Sequence, residues 1–200
     1  MVASEHATID YQSEILRKAI HLCSLSIPII YYFITKELAL KILIPLLILS
    51  LIIDLGRYYF KPIQDFFYNI FGFLLRRHEK DHKKKNLNGA TYVLISAVIV
   101  ILIFPKIFVI TSFSILIIGD IAAALVGRKF GKRKFLLKSL EGTIAFFLFS
   151  CIVIFFTPKI EGNFLEFVIG FISAAVGAIA ENISIGWADD NLVIPISVGI

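Results

Sequence analysis

The chain alternates between long apolar segments and shorter polar ones. Six apolar segments and a shorter seventh are predicted to be membrane helices, at residues 19–35, 38–53, 90–104, 107–126, 142–157, 164–186 and 192–200. About 20 helical residues are needed to cross the hydrocarbon layer, so several are short and need flanking Lys and Arg side chains to reach the interface. The seventh cannot cross at about 1.5 Å per residue, so it is either a half-helix or the start of a final span. The pattern predicts an all-α, polytopic integral membrane bundle of six to seven short transmembrane helices, forming one domain over 1–200.

An amphipathic segment lies between the second and third predicted spans. Its apolar residues repeat at helical spacing, while Gln64, Asp65 and Asn69 fall on other faces. The apolar set comprises Ile63, Phe66, Phe67, Ile70, Phe71, Leu74 and Leu75. This spacing predicts an interfacial helix that lies in the headgroup layer. The basic run 76–85 that follows it is predicted to be solvated or attracted to anionic lipid.

Lysine and arginine are distributed unequally among the polar segments. Residues 1–18, 54–89 and 127–141 contain sixteen of the twenty, and these segments share one side if the six spans are real. The other four are Lys36, Lys41, Lys106 and Lys159. Because cytoplasmic loops carry the excess of Lys and Arg, the N-terminus and the loops after spans two, four and six are predicted to be cytoplasmic. The membrane would be the plasma membrane in a prokaryote and the endoplasmic reticulum in a eukaryote.

Composition narrows the class of protein. Apolar residues make up 58% of the chain, against about 45–50% in soluble domains. The net charge of +5 does not indicate nucleic acid, because the basic residues lie between apolar spans, where anionic headgroups and phosphates are nearer partners. Cys23 and Cys151 both lie in apolar segments and are predicted to be small core residues rather than a disulfide or metal site.

Polar side chains occur inside the predicted spans, where lipid disfavours them. Asp120 lies within the fourth span, Glu181 and Asn182 near the end of the sixth, and Asp189 and Asp190 just beyond it. A charge at the bilayer centre costs at least about 2.5 kcal/mol, so these groups are expected to face the protein interior or a watery cavity and to have a function. The alternative is a structural polar pair near the interface.

Small residues accompany these polar groups along the helices. Asp120 shares one helix face with Ala123, Ala124 and Gly127, and the sixth span has a similar small-residue stripe that includes Asn182. Small residues let helix backbones approach closely. We therefore expect the acids to point inward.

Glycines and cations follow Asp120 in the loop between spans four and five. Residues 127–132 read G-R-K-F-G-K, and residues 138–142 read K-S-L-E-G. Glycines let a backbone wrap closely around phosphate, and cations neutralise its charge. The loop is not a P-loop, because it is one residue short and lacks the Mg²⁺-binding hydroxyl. By its charge alone it fits a phosphate-binding cradle and a positive-inside loop with turn glycines equally well.

The loop and its neighbours resemble the shared core of two related membrane families, the phosphatidate cytidylyltransferases and the CTP-dependent lipid kinases. The second family comprises dolichol or polyprenol kinases, phytol kinases and the yeast-type diacylglycerol kinase. The residues of this core are Gly119, Asp120, Ala122, Ala123, Gly127, Arg128, Phe130, Gly131, Lys132, Lys138, Ser139, Glu141 and Gly142.

Motifs elsewhere in the chain are similar to those of the kinases, and they appear in the family's order. The opening resembles E-x-x-R-K-x-x-H, the end of span two D-x-x-R, and the final segment E…D-D-N-x-x-x-P. The residues are Glu14, Arg17, Lys18, His21, Asp54, Arg57, Asn88, Glu181, Asn182, Asp189, Asp190, Asn191 and Pro195. The closing signature of the cytidylyltransferases is absent from the sequence.

The resemblance implies a kinase that transfers the γ-phosphate of CTP to the hydroxyl of a membrane lipid alcohol. A polyprenol of the dolichol type is the first choice of acceptor, with diacylglycerol, phytol or geranylgeraniol as alternatives. Two other functions remain open: a cytidylyltransferase, which would release pyrophosphate, and a small cation or proton transporter, which would not need the Gly-Arg-Lys loop. No nucleic-acid partner is expected.

Roles for single residues also follow from the resemblance. Asp120, Asp189 and Asp190 are expected to bind Mg²⁺ or another divalent cation, since hard cations prefer carboxylates and phosphate oxygens. The expected CTP-binding residues are Arg128, Gly131, Lys132, Lys138 and Ser139. The expected catalytic residues are Asp120, Lys138, Glu141, Glu181 and Asp190. Within that set Glu141 would orient a cation, and either Glu181 or Asp190 would be the base.

Overall fold

The computed structural model of the protein describes residues 11–73, 75, 86–184 and 189–200, so the basic run 76–85 lies outside the described residues. The described segments form helices joined by short connections, with one small β-hairpin. The helices are α1 (Tyr11–Cys23), α2 (Ser26–Phe33), α3 (Lys36–Tyr59), α4 (Lys61–Phe71), α5 (Gly89–Ile103), α6 (Lys106–Phe130), α7 (Leu140–Phe156), α8 (Phe164–Ile183) and α9 (Asp190–Gly199). The hairpin pairs β1 (Lys134–Phe135) with β2 (Lys138–Ser139) in antiparallel register. The predicted all-α fold is confirmed.

Three helices in the described part of the chain, α3, α6 and α8, are long and apolar enough to cross a membrane. Helices α5 and α7 are equally apolar but shorter. The chain is therefore a membrane protein built of apolar helices. The predicted total of six to seven spans stays a prediction.

The first apolar segment, 19–35, is not one helix as predicted. It is divided between α1 and α2 by a turn at Ser24 and Leu25, whose N–H groups donate to carbonyls three residues back rather than four, at 2.9 and 3.0 Å. Pro28 explains the division, because a proline inside a helix clashes with the carbonyl four residues earlier and has no N–H to donate. In the first turn of α2 the missing N–H costs nothing.

Helix α6 is the centre of the bundle. It packs against α1, α2, α5, α7, α8 and α9, and most of its apolar stretch is buried, whereas most of α3 and α8 faces outward. Phe113, Ile115, Leu116 and Ile117 of α6 are fully buried. A side chain carried on α6 is therefore shielded from lipid on nearly every face.

Small residues allow other helices to pack closely against α6 and α8, as predicted. A Cβ atom at Gly119 would lie 2.8 Å from the ring of Phe146, and one at Gly177 would lie 2.9 Å from Val198. The polar residues on the same faces point inward: Asp120 and Glu181 are each 4% exposed, and Asn182 is completely buried.

The predicted amphipathic helix is present as α4. It ends at Phe71, four residues earlier than the apolar pattern suggested. Phe67 is buried, while Phe66, Ile70 and Phe71 are exposed. A helix with one buried aromatic and several outward aromatics is suited to the headgroup layer, and its position there stays a prediction.

Three of the four lysines outside the cationic segments cap helix ends. Lys36 Nζ donates to the carbonyl of Leu102 at 2.8 Å, and Lys106 Nζ donates to that of Ile34 at 2.9 Å. Lys159 donates to the carbonyls that end α7. The last carbonyls of a helix have no intrahelical donor, so these lysines have a local function at the end of the bundle opposite the β-hairpin. They do not weaken the orientation deduced from the other cations.

Side-specific labelling tests this orientation. In a chain whose Cys23 and Cys151 are replaced by serine, a cysteine at Lys84 or Lys134 is expected to react with an impermeant maleimide only from the cytoplasmic side. A cysteine at the exposed Glu161 is expected to react only from the opposite side, and it leaves the Lys159 cap intact. Labelling of positions 84 and 134 from different sides would contradict the topology.

Candidate active site

Asp120 is the buried acid at the middle of α6, and two groups from α1 face it. Lys18 forms an ion pair with Asp120 Oδ2, and His21 Nε2 lies 3.5 Å from the same oxygen. Lys18 is itself buried. The apolar surroundings strengthen the pair, since few water dipoles screen it. Asp120, which the sequence analysis assigned to the site, is therefore paired with Lys18, to which that analysis assigned no role.

Glu14 joins α1 to the end of α6. Its carboxylate contacts Arg17 at 2.6 Å and Arg128 at 3.3 Å. Burial by itself raises the pKa of Glu14, but the neighbouring cations, of which Arg17 acts most strongly, outweigh burial and lower its pKa to about 2. Glu14 is thus ionised at every physiological pH, and it fixes the guanidinium of Arg128 at the mouth of the site.

Lys138 links α8 and α9 from the β-hairpin. Its Nζ lies 2.6 Å from Glu181 Oε1 and 3.9 Å from Asp190 Oδ2. Burial by itself lowers the pKa of Lys138, but the carboxylates of Glu181 and Asp190 outweigh burial and raise the pKa above its ordinary value. The charge of Asp120 also acts on Lys138. The two ion pairs, Lys18 with Asp120 and Lys138 with Glu181, therefore belong to one electrostatic cluster.

Asn182 positions the hairpin that carries Lys138. Its Oδ1 accepts hydrogen bonds from the N–H groups of Leu137 and Lys138, at 2.9 and 3.1 Å, and its Nδ2 donates to Thr143 Oγ1 at 2.6 Å. The turn before it places Leu136 at φ 49°, a left-handed conformation that is uncommon outside glycine. The buried amide of Asn182 compensates for that conformation by holding the backbone that follows.

The start of α9 is built around two acids and an amide. Asp189 caps the helix by accepting from the N–H of Asn191 at 2.9 Å, and it also accepts from Asn191 Nδ2 at 2.6 Å. Asp190 Oδ1 accepts from the same N–H at 3.1 Å. Among the residues that the structure describes, Asn191 Oδ1 is buried without a hydrogen-bond partner. An unsatisfied amide oxygen beside carboxylates is a ready acceptor for a cation or a donor group.

Three glycines pack against Ser139 where the chain passes from α6 to α7. Ser139 Oγ accepts from the Gly142 N–H at 3.2 Å and caps α7. A Cβ atom at Gly127, Gly131 or Gly142 would lie between 2.9 and 3.0 Å from this hydroxyl oxygen. Ser139 and Gly131, predicted to bind CTP, therefore have packing roles that account for their identity. Binding of nucleotide by either stays a prediction.

The remaining charged residues of the loop differ in exposure. Lys129, Lys132, Arg133 and Lys134 are exposed. Glu141 accepts from the Arg133 N–H through both of its oxygens, at 3.2 and 3.3 Å, and these backbone bonds contribute to lowering its pKa. In this structure Glu141 holds the loop backbone, so its predicted role in orienting a cation is not seen in these contacts and stays a prediction.

Asp54, Arg57 and Asn88 form a separate buried cluster at α3, α4 and α5. Asp54 Oδ1 contacts Arg57 Nη2 at 3.0 Å, and Asp54 Oδ2 accepts from the Asn88 N–H at 2.7 Å. The guanidinium lies 4.8 Å from the centre of the Tyr58 ring and 4.7 Å from that of Phe67, where cation–π attraction is effective. These contacts link three helices, so the structure gives these motif residues an architectural role at a distance from Asp120.

The oxygen atoms of the cluster around Asp120, Glu181 and Asp190 suit a hard divalent cation only in part. Carboxylates and the open amide oxygen of Asn191 are the oxygens that Mg²⁺ takes. Within the described ranges, however, no three His, Cys, Asp or Glu side chains converge closely enough to hold a metal by themselves. Mg²⁺ commonly uses one or two carboxylates together with substrate phosphates and water. The described residues therefore supply part of the ligand set of such an ion, and the predicted Mg²⁺ binding stays a prediction.

Glu14, like Lys18, is a residue of this cluster that the sequence analysis placed in a motif without assigning it a role in the site. It lies four residues before Lys18 and seven before His21, so all three share one helix face. That spacing was available in the sequence, as was the acid three residues before Arg17. Thr143, which anchors Asn182, gave no comparable signal.

Two known proteins are similar to this chain over most of its length. It is 31% identical over 194 residues to an uncharacterized protein of Rickettsia prowazekii, covering 95% of this chain and 93% of that protein. It is also 31% identical over 160 residues to CTP-dependent diacylglycerol kinase 1 of Schizosaccharomyces pombe, covering 72% of this chain and 70% of the kinase.

No family model matches the chain. No solved structure matches it either. The match to the yeast kinase includes more than two thirds of each protein. On that evidence the chain belongs to the family of the CTP-dependent diacylglycerol kinase, a family of membrane lipid kinases.

Proposed function

We propose that the protein transfers the γ-phosphate of CTP to the hydroxyl of a membrane lipid alcohol. The observation that carries the proposal is the buried cluster of alternating acids and cations at the hairpin end of an apolar bundle. Phosphoryl transfer needs positioned cations around the phosphates more than it needs covalent chemistry. The cluster offers such cations at one end of an apolar bundle.

Three cations are assigned to the triphosphate: Arg128, Lys132 and Lys138. Arg128 is oriented by Glu14 and Lys138 by Glu181, at 3.3 and 2.6 Å, so both are held before nucleotide arrives. Lys132 is exposed and reaches the phosphates from the open side. Ammonium and guanidinium groups make the strongest hydrogen bonds to phosphate oxygens, and prior orientation reduces the entropy lost on binding.

Asp120 and Asp190 are assigned to a Mg²⁺ ion that enters with CTP, and Asp189 supports them at the start of α9. The ion supplies neutralisation of phosphate charge that the lysines alone cannot provide. When nucleotide binds, Lys18 remains beside Asp120 and keeps the buried carboxylate compensated. Asp190 or Glu181 accepts the proton of the lipid hydroxyl as its oxygen attacks the γ-phosphorus, and CDP leaves.

Two classes of lipid alcohol are proposed as the phosphate acceptor. A polyprenol of the dolichol type is the first, on the resemblance of the site motifs. Diacylglycerol is the second, because the similar protein of Schizosaccharomyces pombe is a diacylglycerol kinase. The positive-inside distribution supports a site that faces the cytoplasm, where CTP is present.

A labelled-nucleotide experiment tests the proposal. Purified protein in phospholipid nanodiscs is incubated with Mg²⁺ and γ-labelled CTP, together with a polyprenol, a diacylglycerol or phytol. Label is expected in the lipid phosphate of one class, with CDP released. The parallel reaction with α-labelled CTP, in which phosphatidate is added as a lipid phosphate, is expected to leave every lipid unlabelled. Transfer of the α-label with release of pyrophosphate would instead establish a cytidylyltransferase, and no transfer from either nucleotide to any lipid would contradict the proposal.

A further inference from the structure

An apolar groove runs between α2, α6 and α7. Its volume is about 650 Å³, and it is open along one side. All three helices contribute to its lining, among them Pro28 and Tyr32 of α2, with Leu25 just before that helix, Ser114 and Ile118 of α6, and Phe156 at the end of α7. Sites for small organic ligands have volumes of about 300–1,000 Å³. The groove is therefore large enough for a substantial part of a lipid chain.

One end of the groove lies close to the acid cluster. Lys18 and His21 on α1 face Asp120, and Leu25 follows His21 by four residues and lines the groove. On α6 the groove ends at Ile118, two residues before Asp120. This end of the groove is thus about one helical turn from His21, and the lining extends from there to the far end of α7, away from the cluster.

His21, about one helical turn from the groove, has a ring nitrogen that is available to a ligand. Its Nε2 is buried and makes no hydrogen bond to any residue that the structure describes, although it lies 3.5 Å from Asp120 Oδ2. A buried polar atom without a partner calls for an explanation such as a missing ligand. A hydroxyl at this place would supply the missing partner.

We infer that the groove between α2, α6 and α7 holds the hydrocarbon chain of the lipid alcohol, with the hydroxyl at His21. The inference rests on the proposed lipid-kinase function and names the place of its acceptor. A hydrocarbon chain gains no hydrophobic free energy by leaving the bilayer, because lipid tails are as apolar as the groove. The groove therefore contributes orientation, which brings the hydroxyl into line with the γ-phosphate.

Filling the groove tests the inference through chain-length dependence. Ser114→Phe places a ring in the middle of the groove, and Ile29→Trp narrows its exposed rim without disturbing the core. Each is expected to raise KM for dioleoylglycerol or a long polyprenol by about tenfold or more, the scale of an overpacked site. KM for CTP and turnover of dioctanoylglycerol or geraniol are expected to stay near wild type. Ile48→Phe and Ile52→Trp, both on the outward face of α3, are the matched controls.

Photo-crosslinking gives a readout that does not depend on turnover. A long-chain lipid alcohol with a diazirine in its chain is expected to label peptides of α2 and α7, and unlabelled alcohol should suppress that labelling while phospholipid should not. Unchanged chain-length dependence in both filled variants, or labelling that phospholipid suppresses equally, would overturn the inference and leave the kinase function standing. If wild-type protein phosphorylates no lipid, the proposed function fails, and the competition result alone decides whether the alcohol occupies the groove.

Discussion

Replacement of Asp120 by asparagine is expected to reduce lipid phosphorylation by at least about a hundredfold. The substitution keeps the shape of the side chain but removes the charge that pairs with Lys18 and that is assigned to Mg²⁺. A charge-assisted contact contributes about 1.5–3 kcal/mol, or about ten- to a hundredfold, and Asp120 provides more than one. The rate is measured with γ-labelled CTP in nanodiscs at saturating Mg²⁺.

The control for this variant uses the partner of the ion pair. Removing one member of a buried pair costs about 3–5 kcal/mol, whereas replacing both is often neutral. Asp120→Asn is therefore expected to lower the thermal midpoint in detergent, and adding Lys18→Met is expected to restore it. Activity should remain lost in the double variant. Near-normal turnover of Asp120→Asn, or recovery of activity together with stability, would make Asp120 a structural acid.

The inward orientation of the acids could be predicted because membrane burial allows few alternatives. Asp120 within an apolar span must face protein or water, and its small-residue neighbours identified the packed face. The structure has Asp120 and Glu181 nearly inaccessible on the central packing surface. The same argument could not identify the partner of either acid, because hydropathy does not determine which helices touch.

The partners depend on contacts between segments distant in the chain. Lys18 meets Asp120 across 102 positions, and Lys138 meets Glu181 across 43. The second contact also requires the hairpin turn held by Asn182, which no local pattern indicates. The spacing of Glu14, Lys18 and His21 showed that they share a face, but only the packing of α1 on α6 shows what that face touches.

The motif residues of α3 show a different limit. Asp54 and Arg57 are three residues apart, so an ion pair on one helix face could be expected. The resemblance grouped them with the active-site motifs without distinguishing the two roles. Their contacts with Asn88 and with the Phe67 ring of α4 show that they brace the helices.

The break in the first apolar segment could have been predicted from Pro28, since a proline ends or kinks a helix at the preceding residues.

The six cations of the loop are expected to differ in how much activity and CTP affinity are lost when each one is neutralised. All six contribute equally to the positive-inside orientation, so orientation alone predicts equal consequences. Lys138→Ala is expected to be most severe, at about a hundredfold or more, because it removes a phosphate contact and leaves Glu181 buried without its ion-pair partner. Arg128→Ala and Lys132→Ala are each expected to cost about ten- to a hundredfold, mainly in KM for CTP.

The exposed neighbours in the same loop are the matched controls. Lys129→Ala, Arg133→Ala and Lys134→Ala are expected to cost little, because exposed charges are screened by salt. CTP affinity and rate are measured for the six variants in one detergent and at one ionic strength. A severe loss of CTP affinity in Arg128→Ala and Lys138→Ala, with no effect of Lys132→Ala, would restrict phosphate binding to the two cations that buried acids orient. Equal effects at all six positions would mean that the loop only orients the protein, and the kinase would have to bind its phosphates elsewhere.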